Sequence, residues 1–281
     1  MKINKLIGYS GVLVLILCAK YLPFGRSDAE AASTDTEQTA TAADTSRSGK
    51  SDVHAKELMS VKLPAGLPSR MKDYSGFTVS FNRDNHTPNY VAWELLASET
   101  NGQVPRYDKF WNDPDVEGCA FTSDYTRSGY DRGHLCPAAD QKWDEQAMMD
   151  CFSMANIAPQ DHALNSGAWA TLEKKERLWA NKLGSLIIIA GPIYEPGDKC
   201  TIGESSVRVP SAFFKAFLSN DPKSPQSIAF VYPNMHSPGN MANYAMSIYE
   251  LEKLTSFDFF SALPDDTEKA VESTYNLKLW K

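Results

Sequence analysis

The stretch that most limits what this chain can fold into is a helix and a buried strand with a single glycine between them. From 166 to 183 apolar residues recur at helical spacing, and Gly184 supplies the stop. Trp169, Leu172, Trp179 and Leu183 are expected to face the core. Ser185-Leu186-Ile187-Ile188-Ile189-Ala190 follows at once as a buried strand closed by Gly191-Pro192. The chain therefore needs a sheet around that strand. Upstream, the β-rich runs 77–81 and 90–95 flank the turn-forming residues 82–88 and read as a hairpin. Residues 144–152 have the cap and acidic first turn of a short helix. Residues 207–218 and 227–232 read as strands, 248–254 as a helix, and the tail ending at Trp280 is expected to pack back on the sheet. Strands and helices mixed without strict alternation predict one α+β domain over 61–281.

The N-terminal quarter reads differently. Lys2 and Lys5 precede an apolar run over 6–19, the pattern of an export signal or, with 21–24 added, of an uncleaved membrane anchor. Residues 1–26 are assigned to that segment, which gives a chain exported to the periplasm or medium or attached to a membrane by its N-terminus. Residues 27–60 are rich in Ala, Ser, Thr and Asp and read as a disordered spacer. Export makes the even set Cys119, Cys136, Cys151 and Cys200 a disulfide framework with three pairings open. Without Lys2, Lys5, Lys20 and Arg26 the formal charge of −7 becomes −11, which excludes a uniformly basic nucleic-acid binder. An enzyme that needs positive groups only at one phosphate is not excluded.

The chemistry concentrates in Asp131-Arg132-Gly133-His134, Asn156-Ile157-Ala158-Pro159-Gln160 and the start of the long helix. A histidine titrating near 6.5 suits the deprotonation of water, and His134 is the candidate base. His54, His86, His162 and His236 show that residue type alone selects nothing. Asn165 begins the helix and Glu173 lies eight residues on, about two turns away. That span suits one direct ligand, Asn165, with Glu173 as an outer acceptor for water around a metal such as Mg²⁺. The plain alternative makes Asn165 a helix cap and pairs Glu173 with Arg177 at i+4. Arg132 and Arg106 offer planar donors for phosphate, while Lys174, Lys175, Arg177 and Lys182 form a local basic strip. Asp131 is given no chemical step.

Three ordered blocks, 131–134, 153–160 and 164–173, resemble the signature of the DNA/RNA non-specific endonucleases, the ββα-metal nucleases related to endonuclease G and Serratia nuclease. The resemblance runs from about 63 to 280. It implies a central antiparallel sheet flanked by helices with a ββα-metal finger. It also implies His134 as general base, Asn165 as magnesium ligand, Glu173 positioning water at the metal, Asn156 holding the site and Arg132 on the phosphate. An upstream arginine stabilises the transition state in that family. Arg106 stands about where it belongs, with Arg127 as competitor. The expected activity is Mg²⁺-dependent hydrolysis of DNA and RNA without marked sequence preference, Mn²⁺ substituting, leaving a 5′-phosphate. The alternatives are a catalytically silent nucleic-acid-binding or envelope protein on the same scaffold, and a phosphodiesterase for small molecules.

Overall fold

The structure, a computed structural model, describes residues 52–197, 199–219, 221 and 224–280. The signal or anchor at 1–26 and most of the spacer lie outside them. Helix α1 (Asp52–Leu58) falls inside the segment read as spacer, and it buries Ala55 and Leu58. Strands β1 (Arg70–Asp73), β2 (Thr78–Asn82) and β3 (Thr87–Leu96) form an antiparallel meander, the predicted hairpin with one more strand. Strand β4 (Asp131–His134), helix α2 (Glu145–Asp150) and strand β5 (Ile157–Gln160) come next. A π-helical turn, Leu164–Trp169, runs directly into helix α3 (Ala170–Leu183). The remainder is β6 (Ser185–Ile193), β7 (Thr201–Ile202), β8 (Val207–Arg208), β9 (Ala212–Ser219), β10 (Ser227–Pro233), β11 (Ala245–Met246), α4 (Ile248–Thr255) and α5 (Asp265–Ser273).

The main sheet is antiparallel throughout, in the order β1-β2-β3-β6-β9-β10-β11. Its central strands are apolar on both faces because both faces are covered. Leu186, Ile188 and Ala190 enter one core with Trp93, Trp169, Leu172 and Trp179. Ile187 and Ile189 enter a second with Phe214, Ile248 and Leu251. This two-sided burial is why 186–190 has no polar position. The fold is the predicted α+β class with a central antiparallel sheet, and β4, β5 and α3 form the ββα unit on the first core.

Three expectations need correction. Leu183 is 39% exposed; the helix ends there at Gly184 (φ 88°), and Trp280 packs against Trp179 instead, with ring centroids 5.2 Å apart. The single strand expected at 207–218 is two, because Ser211 leaves the ladder to bond Ile193 O through both its amide and its hydroxyl. No disulfide framework forms. Cys119, Cys136 and Cys151 are free thiols buried as small core side chains, so none of the three pairings exists.

Candidate active site

Strands β4 and β5 pair as a short ribbon with Gly133 opposite Ala158 and His134 opposite Ile157. Gly133 is required by close approach, since a Cβ there would lie 2.5 Å from Cβ and Oε1 of Gln160. The turn after His134 is held by Asn156, which is fully buried. Its Oδ1 accepts from Cys136 N at 2.9 Å, and its Nδ2 donates to the carbonyls of Cys136 (2.9 Å) and Cys151 (2.8 Å). The His134 carbonyl accepts from Trp169 Nε1 at 3.2 Å, which ties the ribbon to the π turn. The imidazole packs against the edge of an aromatic pair, with Phe152 at 4.9 Å, Phe110 at 5.2 Å and those two rings 5.1 Å from each other. Its Nε2 is enclosed with no partner, so Nδ1 is the nitrogen with solvent access. Burial, and then the nearby Arg106 charge, push the imidazole pKa down to about 3. The ring is therefore neutral at physiological pH.

Asn165 is not the helix cap. Asp161 caps that end, its Oδ1 accepting from Ala163 N and Leu164 N. The Asn165 amide donates from Nδ2 to Asp131 Oδ2 at 2.9 Å, and His162 Nδ1 lies 2.8 Å from the same oxygen. Asp131, given no step in the sequence reading, thus turns the Asn165 amide and directs its oxygen to the other side. Eight residues of straight α-helix would set Asn165 and Glu173 about 80° apart around the axis. The π turn between them takes in one extra residue, which brings the pair to within about 20° of one face. Burial pushes the Glu173 carboxyl upward, opposed chiefly by Lys215.

The arginines separate by position. Arg132 donates from Nη2 to Thr122 O at 2.9 Å and lies over the rings of Phe110 (5.3 Å) and Tyr125 (5.9 Å), with its Nε buried and unpartnered. Arg106 lies over Phe152 at 4.9 Å and acts electrostatically on both His134 and Glu173. Arg127 sits on the exposed turn before Gly129, in a left-handed conformation (φ 57°), and joins none of these contacts. Arg177 pairs with the buried Asp140 at 2.8 Å, not with Glu173, so it leaves the basic strip.

One group escaped the sequence reading. Lys215, the single charge in β9, donates to both oxygens of Glu176 on α3 (2.8 and 3.0 Å), and both side chains are fully buried. Its ammonium lies over Trp169 (4.9 Å) and Trp93 (5.2 Å). A charge inside an otherwise apolar strand was the available signal.

To a metal the site offers two oxygen donors on one helix face, the Asn165 amide oxygen and the Glu173 carboxylate. Among the described residues no three His, Cys, Asp or Glu side chains gather as a ligand set. A cage of the zinc type is therefore lacking among them, and the donors fit an ion that keeps most of its water, as Mg²⁺ does.

A family model described as DNA/RNA non-specific endonuclease matches residues 54–266. Nuclease EXOG, mitochondrial, of Danio rerio is 32% identical over 218 residues, covering 70% of this chain and 64% of its own length. Nuclease 1, mitochondrial, of Schizosaccharomyces pombe is 32% identical over 229 residues, covering 73% of this chain and 71% of its own. Human endonuclease G, mitochondrial, is 30% identical over 54% of this chain and 56% of itself. The chain thus spans less than two thirds of the zebrafish and human proteins. A solved EndoG/EndoGI complex shares the fold, with a TM-score of 0.68 at 24% identity over 75% of this chain and 93% of that one. These relatives overturn the reading of an exported, secreted protein, since their names place them in mitochondria and point to that organelle. Fold, ordered motifs and matched length agree that this chain belongs to the DNA/RNA non-specific endonucleases.

Proposed function

We propose that the chain is a divalent-metal-dependent endonuclease, with Mg²⁺ as its metal, that hydrolyses DNA and RNA with little sequence preference. The observation that carries this reading is His134, a neutral imidazole packed against the Phe110–Phe152 pair with one nitrogen accessible beside Arg106. His134 takes the proton from the attacking water at Nδ1. Trp169 holds the His134 carbonyl and Asn156 the turn that follows it, so the base does not reorganise as the reaction proceeds. Arg106, with Nε on Asp108, and Arg132, with Nη2 on the Thr122 carbonyl, lie on aromatic faces and would give their remaining donors to phosphate oxygens, contacts that read no base. A divalent ion held by Asn165, with Glu173 outside it, would supply positive charge to the phosphate and the leaving 3′-oxygen. Asp131 keeps the Asn165 amide oriented for that task.

Purified protein incubated with plasmid and Mg²⁺ should nick and then degrade it, and EDTA should stop the reaction without unfolding the protein. His134→Ala should melt within a few degrees of the parent and lose at least about 10³-fold in rate, the upper part of what a base contributes. A plasmid that survives every divalent cation, or a His134→Ala protein that cuts like the parent, ends this reading.

A further inference from the structure

Phe121 presents an aromatic ring to water on a backbone that has little freedom to move. The ring is 55% exposed, while Ala120 before it and Asp124 after it are buried. Three side chains fix this loop. Asn112 Nδ2 donates to the carbonyls of Cys119 (2.8 Å) and Ala120 (3.1 Å). Asp124 accepts from Phe121 N at 2.8 Å and from Ser205 N at 3.0 Å. Arg132 holds the Thr122 carbonyl. With trans-peptide geometry, that last bond keeps the Phe121 Cα within about 9 Å of the Arg132 guanidinium. The same guanidinium lies over Phe110, whose ring is 5.2 Å from that of His134. Other large apolar side chains, Leu178 and Met71 among them, are as exposed; what sets Phe121 apart is its fixed backbone within reach of the Arg132 guanidinium.

We infer that Phe121 is a stacking platform for an unpaired nucleobase next to the phosphate held by Arg132, which makes single-stranded nucleic acid the favoured substrate of the proposed site. The argument rests on the nuclease reading only for the placing of that phosphate. A base offers its π-face to a side chain only when it is unstacked, which duplex interior bases are not. Every base has such a face, so this contact adds affinity without adding sequence preference. Arg132 and the ring divide the work: the guanidinium takes the phosphate and the phenyl takes the neighbouring base.

The test measures binding in EDTA, separately from cleavage, with two oligonucleotides of equal length. One is oligo(dT) and the other an abasic strand with the same phosphates. The parent should prefer oligo(dT) by about five-fold or more, from the worth of one base–aromatic stack. Phe121→Ala should erase that preference while melting like the parent, and Phe121→Trp should keep it. A parent without preference for the strand that carries bases, or a preference that Phe121→Ala retains, overturns the inference. Restoring Mg²⁺ to the same samples tests the other reading separately, because binding that follows this pattern without cleavage would refute the nuclease and leave the platform standing.

Discussion

Replacing Lys215 by Met should be among the most destabilising single changes in the domain, and replacing Glu176 as well should undo most of the damage. The ammonium and the carboxylate are both fully buried, 2.8 Å apart, on different elements, β9 and α3. Taking either charge out of water costs several kcal/mol, which their contact offsets only while both are present. Lys215→Met leaves the buried Glu176 carboxylate without its cation and still facing the Asp140 charge, at a cost of about 3–5 kcal/mol. For a domain of this size that corresponds to a fall of about 6–20 °C in Tm, at roughly 2–4 °C per kcal/mol. Methionine keeps the unbranched stem and a favourable sulfur–aromatic contact, so the loss reports charge and not volume. If Glu176→Met alone costs about the same 3–5 kcal/mol, Lys215→Met/Glu176→Met should return to within about 2 kcal/mol of the parent, a coupling of at least about 4 kcal/mol in the double-mutant cycle. The sign with pH is fixed. Burial already pushes the Glu176 carboxyl upward with Lys215 present, and without it the folded value rises further above the unfolded one. The penalty in Lys215→Met therefore shrinks as pH falls toward the unfolded carboxyl value and grows as pH rises. Urea melts of the four proteins at pH 5 and pH 8 decide the matter. Single variants that each cost under about 1 kcal/mol, or a double variant that costs their sum, would refute the reasoning.

Asn156→Ala removes three hydrogen bonds from the turn after His134 and leaves three backbone groups of the core unpaired, so it should cost about 3 kcal/mol and at least ten-fold in rate; urea melts and plasmid nicking measure both. Gly133→Ala puts a Cβ 2.5 Å from Gln160, which must shift the ribbon; kcat should drop at least about ten-fold with His134 intact, and unchanged kcat would show that the ribbon gives way freely. Glu272, on α5, is pushed up to about 8 by burial first and then by Glu252, Glu268 and Asp258. Its folded value exceeds its unfolded one, so its contribution is present below about 4.5 and lost as pH rises through 8. Glu272→Gln should thus raise Tm at pH 9 by a few degrees and leave it unchanged at pH 4, as calorimetry would show.

The elements that periodicity marks were legible. The helix to Leu183 and the strand 185–190 carry their patterns in consecutive residues, and both stand as expected. What sequence could not give is set by distant partners. Leu183 has the right spacing for the core, but Trp280 takes the place against Trp179. The choice between Arg106 and Arg127 depends on which one the fold brings over Phe152, and no spacing states that. Phe110 and Phe152, against which His134 packs, lie 24 and 18 residues from it in sequence and carry no motif. The cysteines misled because pairing was inferred from a compartment, and the compartment was itself inferred from 26 residues. Lys215 was visible as a charge in an apolar strand and went unread.

Spacing in sequence gives only the span of about two turns between Asn165 and Glu173, and the π turn bears on a second quantity, the directions of the two side chains. Counted as α-helix, eight residues point the two side chains in different directions, and a metal shared between them looks strained. The extra residue removes that difference, at the cost of a weaker hydrogen-bond ladder over 164–169. Trp169, the last residue of the turn, offsets part of that cost by donating to the His134 carbonyl and by covering the Lys215 ammonium. The proposed base and the proposed metal ligand are thereby joined through Trp169 as well as through Asp131, which lies on the strand that carries His134 and accepts from Asn165. Displacing the turn would move His134 and Asn165 together, and this places the coupling of the two halves of the proposed site in Trp169 and Asp131, with no direct contact between His134 and Asn165 needed.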